Sequence, residues 1–175
     1  PYRCLLTLGL SLTCACQTDT GDTAEQTASP SWLFVVHSEE ATLSDGMLTM
    51  TGVLPTVIAF TDRPYREFST TTLEDLADLW AEGSDSFEVD PPNSIVDGVH
   101  TNPHGTTSQC SVEVELMAPP VPGAAGEWSW EVVELTRFEG CPETAEGSAS
   151  WVFASLFVDD VSWDCDPMLF FGFCP

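Results

Sequence analysis

The sequence predicts a mainly β fold: an antiparallel β-sandwich, or a barrel-like closure of one, with one short covering α-helix. Three observations lead there. Roughly seven short apolar or alternating segments are set apart by Gly and Pro punctuation. Asp45-Gly46 sits between two of them, a strong two-residue hairpin signal. A single segment, "TTLEDLADLWAEG", carries helical periodicity.

The elements follow in chain order. Residues 32–37 form an apolar, β-rich run that ends at His37, which reads as an edge residue. "ATLS" and "MLTMTGV" flank the Asp45-Gly46 turn, Pro55 punctuates, and "TVIAFTD" supplies the next strand. In "SQCSVEVELMAP", Val112, Val114 and Leu116 alternate inward against Glu113 and Glu115. "EWSWEVVELTRF" alternates Trp128, Trp130 and Val132, then slips near Val133, as a bulge would make it do. "SASWVFASLFVDD" is the most apolar strand and is expected at the centre of the sheet.

The helix has its own signature. Thr71 and Glu74 stand at capping-box spacing. Leu73, Leu76, Ala77 and Trp80 fall at i, i+3, i+4 and i+7 and make one apolar stripe. Glu74, Asp75 and Asp78 face water, and Gly83 is a natural stop. Such a helix is expected to cover one open end of the β structure.

Composition limits the function. The 175 residues contain 28 acids and four basic residues, all arginine, for a formal net charge of −24. That charge repels nucleic acid and an anionic membrane face. It suits cations, cationic proteins or neutral polymers as partners, and solubility in a salty medium where counter-ions screen self-repulsion. Hydrophobic residues make up 43%, enough for one real core.

The first 16 residues read as a lipoprotein-like signal. Arg3 is a basic start, and residues 5–12 are an apolar run too short to span a bilayer. In "TCAC", Cys16 follows Ala15 and is the expected lipidation site, with Cys14 second; an ordinary secretory signal is the alternative. Residues 17–31 hold nothing that can bury a face and read as a flexible acidic linker. Residues 32–175 are then one β-rich domain with a closed C-terminal tail. The expected location is the outer membrane or periplasm as a lipoprotein, or the secreted fraction, with the membrane touched through the lipid anchor alone.

Four cysteines remain beyond the signal: Cys110, Cys141, Cys165 and Cys174. An even number in an exported chain favours disulfides, and three connectivities are possible. The expected pairs are Cys110 with Cys141, tying two strand-rich segments, and Cys165 with Cys174, closing "CDPMLFFGFC" so that its aromatics and Leu169 pack on the domain. Zinc is disfavoured, because no C-x-x-C pair is present and the three His are not spaced as finger ligands.

Asp62-Arg63-Pro64-x-Arg66, then Trp80, then Gly83-x-Asp85-Ser86-Phe87, then Asp90-Pro91-Pro92-Asn93 recur in order, and "ASLFVDD" follows later. This set resembles an uncharacterised family of bacterial exported proteins, across residues 32–160. The resemblance implies an exported domain and no particular activity. The lipoprotein-like start, the "HTNPHGTTSQC" insertion and the tail depart from that pattern.

Two of the four arginines thus lie in "FTDRPYREF". Guanidinium forks match carboxylates and loop carbonyls, so Arg63 and Arg66 are read as a clasp on Asp85, Asp90 or the "DPPN" backbone. The rival is an anion or sugar-acid site made of Arg63, Tyr65, Arg66 and Trp80.

Other candidates are weaker. His100 and His104 lie in a segment that Pro103 and Gly105 mark as a loop. Asp159, Asp160, Asp164 and Asp166 could bind calcium at an outer loop, against a plain solvated turn. Glu113 and Glu115 read as a solvent stripe rather than catalytic carboxylates. A Ser-His-Asp triad needs only to meet in space, though the chain has no G-x-S-x-G elbow and no Gly-rich phosphate loop. The expected role is a non-catalytic structural or interaction module of the cell envelope, without a resident cofactor; its partner is left unknown, an envelope protein or polysaccharide being the kind that suits it. The alternatives are a calcium- or glycan-binding sandwich, the latter using exposed Trp, and a hydrolase with a spatially assembled site.

Overall fold

Asp45 (φ 51°) and Gly46 (φ 74°) both take left-handed backbone angles, as a tight two-residue hairpin turn requires. They join β1 (Ser31–Ser44) to β2 (Met47–Thr51) in register, with Ser44 opposite Met47. The computed structural model describes residues 31–61, 65–81, 86–101, 104–138, 140–141 and 148–162.

The remaining strands are β3 (Val57–Thr61), β4 (Phe68–Thr71), β5 (Asn93–Thr101), β6 (Thr107–Leu116), β7 (Val121–Pro122), β8 (Trp128–Arg137) and β9 (Ala149–Ser162). All pairings are antiparallel. The order β1-β2-β8-β6-β5-β9 returns to β1, so six strands close into a barrel, the second of the two expected architectures. Closure removes the exposed edges that an open sheet would leave. β1 is long enough to serve two neighbours on one side. Residues 40–44 pair with β2, whereas residues 32–35 pair with β3, which carries β4 outside the ring. β9 lies between β5 and β1 in a closed ring, where no strand is more central than another.

Both long strands change phase midway. The inward residues of β1 are Trp32, Phe34, Val36 and Ser38, then Ala41 and Leu43, with Glu39 and Glu40 both exposed between them. Those of β9 are Ala149 and Trp151, then Ala154, Leu156 and Val158. The switch in β9 falls at Phe153, which has φ 53° and is 77% exposed. The neighbouring β5 shifts register at Gly98, whose lack of a side chain admits the distorted backbone. In β8 the pairing with β6 also shifts, leaving Leu135 unpaired; this is the slip expected near Val133, two residues later.

The interior is one cluster of aliphatic and aromatic side chains from all six barrel strands and β3. Val112, Val114 and Leu116 point into it as the alternation predicts. The helix α1 (Leu73–Asp78), continued by a 3-10 turn at Leu79–Ala81, adds Leu73, Leu76 and Trp80 to the same cluster. Trp80 packs at 5.1 Å, tilted, on Phe87. Its cap lies one residue later than the spacing suggested. Thr72, not Thr71, is the N-cap: Asp75 N–H donates to Thr72 Oγ1 (3.1 Å), and Thr72 N–H donates to Asp75 Oδ2 (3.3 Å). Asp substitutes for Glu here because its shorter chain still reaches the cap from the third position. Gly83, the expected stop, lies outside the described residues.

Cys110 of β6 and Cys141 after β8 form a disulfide, as expected, with Cα atoms 4.6 Å apart. Trp151 Nε1–H donates to the Cys110 carbonyl at 2.9 Å, so β9 is anchored to the same point. Cys16, Cys165 and Cys174 lie outside the described residues.

Candidate functional site

The outer face of the barrel carries a polar row that crosses four strands. His37 (β1), Ser155 (β9), Asp97 (β5) and Ser111 (β6) are successive register partners. Directly paired residues project to the same side of a sheet, so the row is contiguous. His37 Nδ1 and Ser155 Oγ share a hydrogen bond of 2.9 Å. Asp97 accepts from Ser111 Oγ at 2.5 Å and from Gln109 Nε2 at 3.1 and 3.2 Å.

This row contains a serine, a histidine and an aspartate, the three residue types of a catalytic triad. Its order is wrong for nucleophilic catalysis. A triad needs the carboxylate to hold the imidazole on the nitrogen remote from the serine. Here Ser155 stands between the other two, and two strand spacings put Asp97 about 10 Å from His37. The backbone N–H groups of mid-sheet strands are also committed to the ladder, so they cannot serve a developing oxyanion. The side-chain bonds instead tie β1 to β9 and β5 to β6, on a face where water competes for each bond.

His37 is therefore not an edge residue: it lies inside β1, its carbonyl accepting from Leu54 N–H at 2.9 Å. His100 belongs to β5 rather than a loop, and its Nδ1–H donates to the Ser150 carbonyl at 2.9 Å. That bond holds one ring nitrogen, while His104 sits beyond the end of β5 in the turn. Among the described residues no group of three or more His, Cys, Asp or Glu is placed to hold a metal ion.

The arginine segment is only partly described. Arg66 lies on the β3–β4 connection with φ 57° and an exposed side chain. The connection is closed by Thr61 N–H to the Glu67 carbonyl (3.1 Å) and Glu67 N–H to Thr61 Oγ1 (2.7 Å). Asp90 is exposed and makes a backbone bond to the Ser86 carbonyl at 3.0 Å. Arg63 and Asp85, the other halves of the expected clasp, lie outside the described residues. Trp80 is buried against Phe87 and so presents no open ring to a ligand.

Among the described residues the one ion pair is Arg137 with Glu134, and the sequence reading passed over it. Arg137 Nε–H and an Nη2–H reach the two Glu134 carboxylate oxygens at 3.0 and 2.6 Å. The hydrogen bonds to Glu134 raise the Arg137 pKa above its ordinary value. The pair brackets the Leu135 bulge, so its function is local: it holds the turn of β8 where the ladder is interrupted.

Asp159 and Asp160 belong to β9 rather than to an outer loop, and Asp159 is exposed. Asp164 and Asp166 lie outside the described residues. Trp32, Trp80, Trp128, Trp130 and Trp151 are all buried, so none offers the exposed ring that a sugar-stacking platform needs.

Ser155, Ser111 and Gln109 were not singled out by sequence reasoning. A signal was present: each is a polar residue at an outward position of its strand. Their meeting depends on the register of three ladders, which one sequence does not specify. No protein-family model, curated protein or solved structure matches the chain.

Proposed function

We propose that the chain is an exported, lipid-anchored domain of a bacterial cell envelope, acting as a non-catalytic interaction module. The observation that carries this reading is the disulfide between the buried Cys110 and the half-buried Cys141. Disulfides persist in oxidising compartments and are rare in the cytosol. The apolar run at residues 5–12 and the Ala15-Cys16 junction supply the address, and the polar stretch at 17–30 supplies a tether. The sequence block running from Asp62 to Asn93 supports the same reading through its resemblance to exported proteins. A charge of −24 keeps such a domain soluble and off anionic surfaces.

Labelled fatty acid tests the anchor. It is expected to attach to the wild type and to Cys14→Ser, and not to Cys16→Ser. Label retained on Cys16→Ser contradicts the assignment. The rival reading, hydrolysis of an ester at Ser155, has the His37–Ser155 bond behind it but neither an orienting carboxylate nor an oxyanion hole. A panel of chromogenic esters with Ser155→Ala as the control decides it, and turnover lost in that variant would establish the enzyme reading.

A further inference from the structure

We infer that the C-terminal segment containing Met168, Leu169, Phe170, Phe171 and Phe173 docks on an apolar patch of the barrel's outer face, formed where β9, β1, β3 and β4 lie side by side. The patch is set by register. Phe157, Val35 and Ile58 are successive partners across β9, β1 and β3. Leu33, Phe60 and Phe68 are successive partners across β1, β3 and β4. Partners share a face, and the two rows lie two residues apart along β1, so the six side chains form one surface without a charged member. Phe68 is 69% exposed and Phe157 is 40% exposed, whereas Val35 between them is 6% exposed. An uncharged aromatic surface on a chain of net charge −24 calls for a cover.

Chain continuity points to the occupant. β9 ends at Ser162 opposite Ser31, at the end of β1 where Trp32 pairs with Thr61 of β3. From Ser162 to Phe68 is three strand spacings across and two residues along, about 16 Å. The five residues 163–167 span up to about 17 Å when extended. The first residue after them is Met168, which opens the uncharged run "MLFFGF". The polar stretch at 17–30 has no such side chains to offer, and a second copy would bring its own −24 charge against this one. Residues 168–173 match the patch in polarity, and the spacer matches it in length.

Site-directed photo-crosslinking on the full chain tests the inference. A benzophenone amino acid replaces Phe171, and the products are mapped by mass spectrometry with the Cys110–Cys141 bond intact as the sign of a folded barrel. The expected products are crosslinks within one chain to peptides containing Leu33, Phe60 or Phe68, reduced at least severalfold by Phe60→Ser with Phe68→Ser. Crosslinks to another face of the barrel, crosslinks to a second copy or another protein only, or no crosslinks at all would each overturn it.

Discussion

Gly98 and Phe153 are packed backbone to backbone: a Cβ placed on Gly98 would stand 3.2 Å from the Phe153 carbonyl oxygen. The same atom would lie 3.1 Å from Ala154 Cα and 3.2 Å from Trp151 Cβ. Phe153 holds φ 53°, which a bulky side chain adopts only when its surroundings dictate it. The distortion in β9 therefore requires the glycine in β5. Gly98→Ala is expected to cost about 1–3 kcal/mol in urea unfolding, and Gly98→Val more, because the obstructing atoms are mostly backbone. Unchanged midpoints for both would mean that the two strands separate freely at this point.

The disulfide closes a loop of 31 residues. On the chain-entropy account its loss costs about 3–4 kcal/mol. Replacing both Cys110 and Cys141 by Ala is expected to lower stability by that amount while leaving the far-ultraviolet β signal in place. Cys110→Ala alone should add one labelled thiol to the wild-type count under denaturing conditions.

Thr72→Ala removes the oxygen that accepts from Asp75 N–H and is expected to cost about 1 kcal/mol. Thr71→Ala should cost less, since the Thr71 hydroxyl makes a single 3.3 Å bond to Asp75 Oδ2. The order of the two melting temperatures separates the observed cap from the one that spacing alone suggested.

Arg66 is exposed on the β3–β4 connection, so Arg66→Gln is expected to move the melting temperature by no more than about 2 °C. A loss of 10 °C would restore the clasp and assign the arginine a partner in the loop before β5.

How much of this was legible in the sequence depends on the range of the interaction. Asp45-Gly46 announced its turn because left-handed angles are a local demand. Val112, Val114 and Leu116 announced their face because alternation is local too. Counting cysteines pointed to disulfides but left three connectivities, of which the expected Cys110–Cys141 pair is the one the structure holds. Barrel closure was only half legible, since it depends on β1 pairing with β9, more than a hundred residues apart in sequence. The phase changes at Glu39-Glu40 and Phe153 were not read, because two adjacent exposed residues look like ordinary irregularity until their partners are known. The row from His37 to Ser111 stayed hidden for the same reason, and Asp159 and Asp160 looked like a loop because acids are sparse inside strands.

The most direct measurement is the intact mass of the mature protein recovered from the membrane fraction of an expressing bacterium. The account predicts a chain that begins at a lipid-modified Cys16 and retains the bond between Cys110 and Cys141. A chain that keeps residues 1–16 without lipid, or one whose Cys110 and Cys141 are both free thiols, would contradict it.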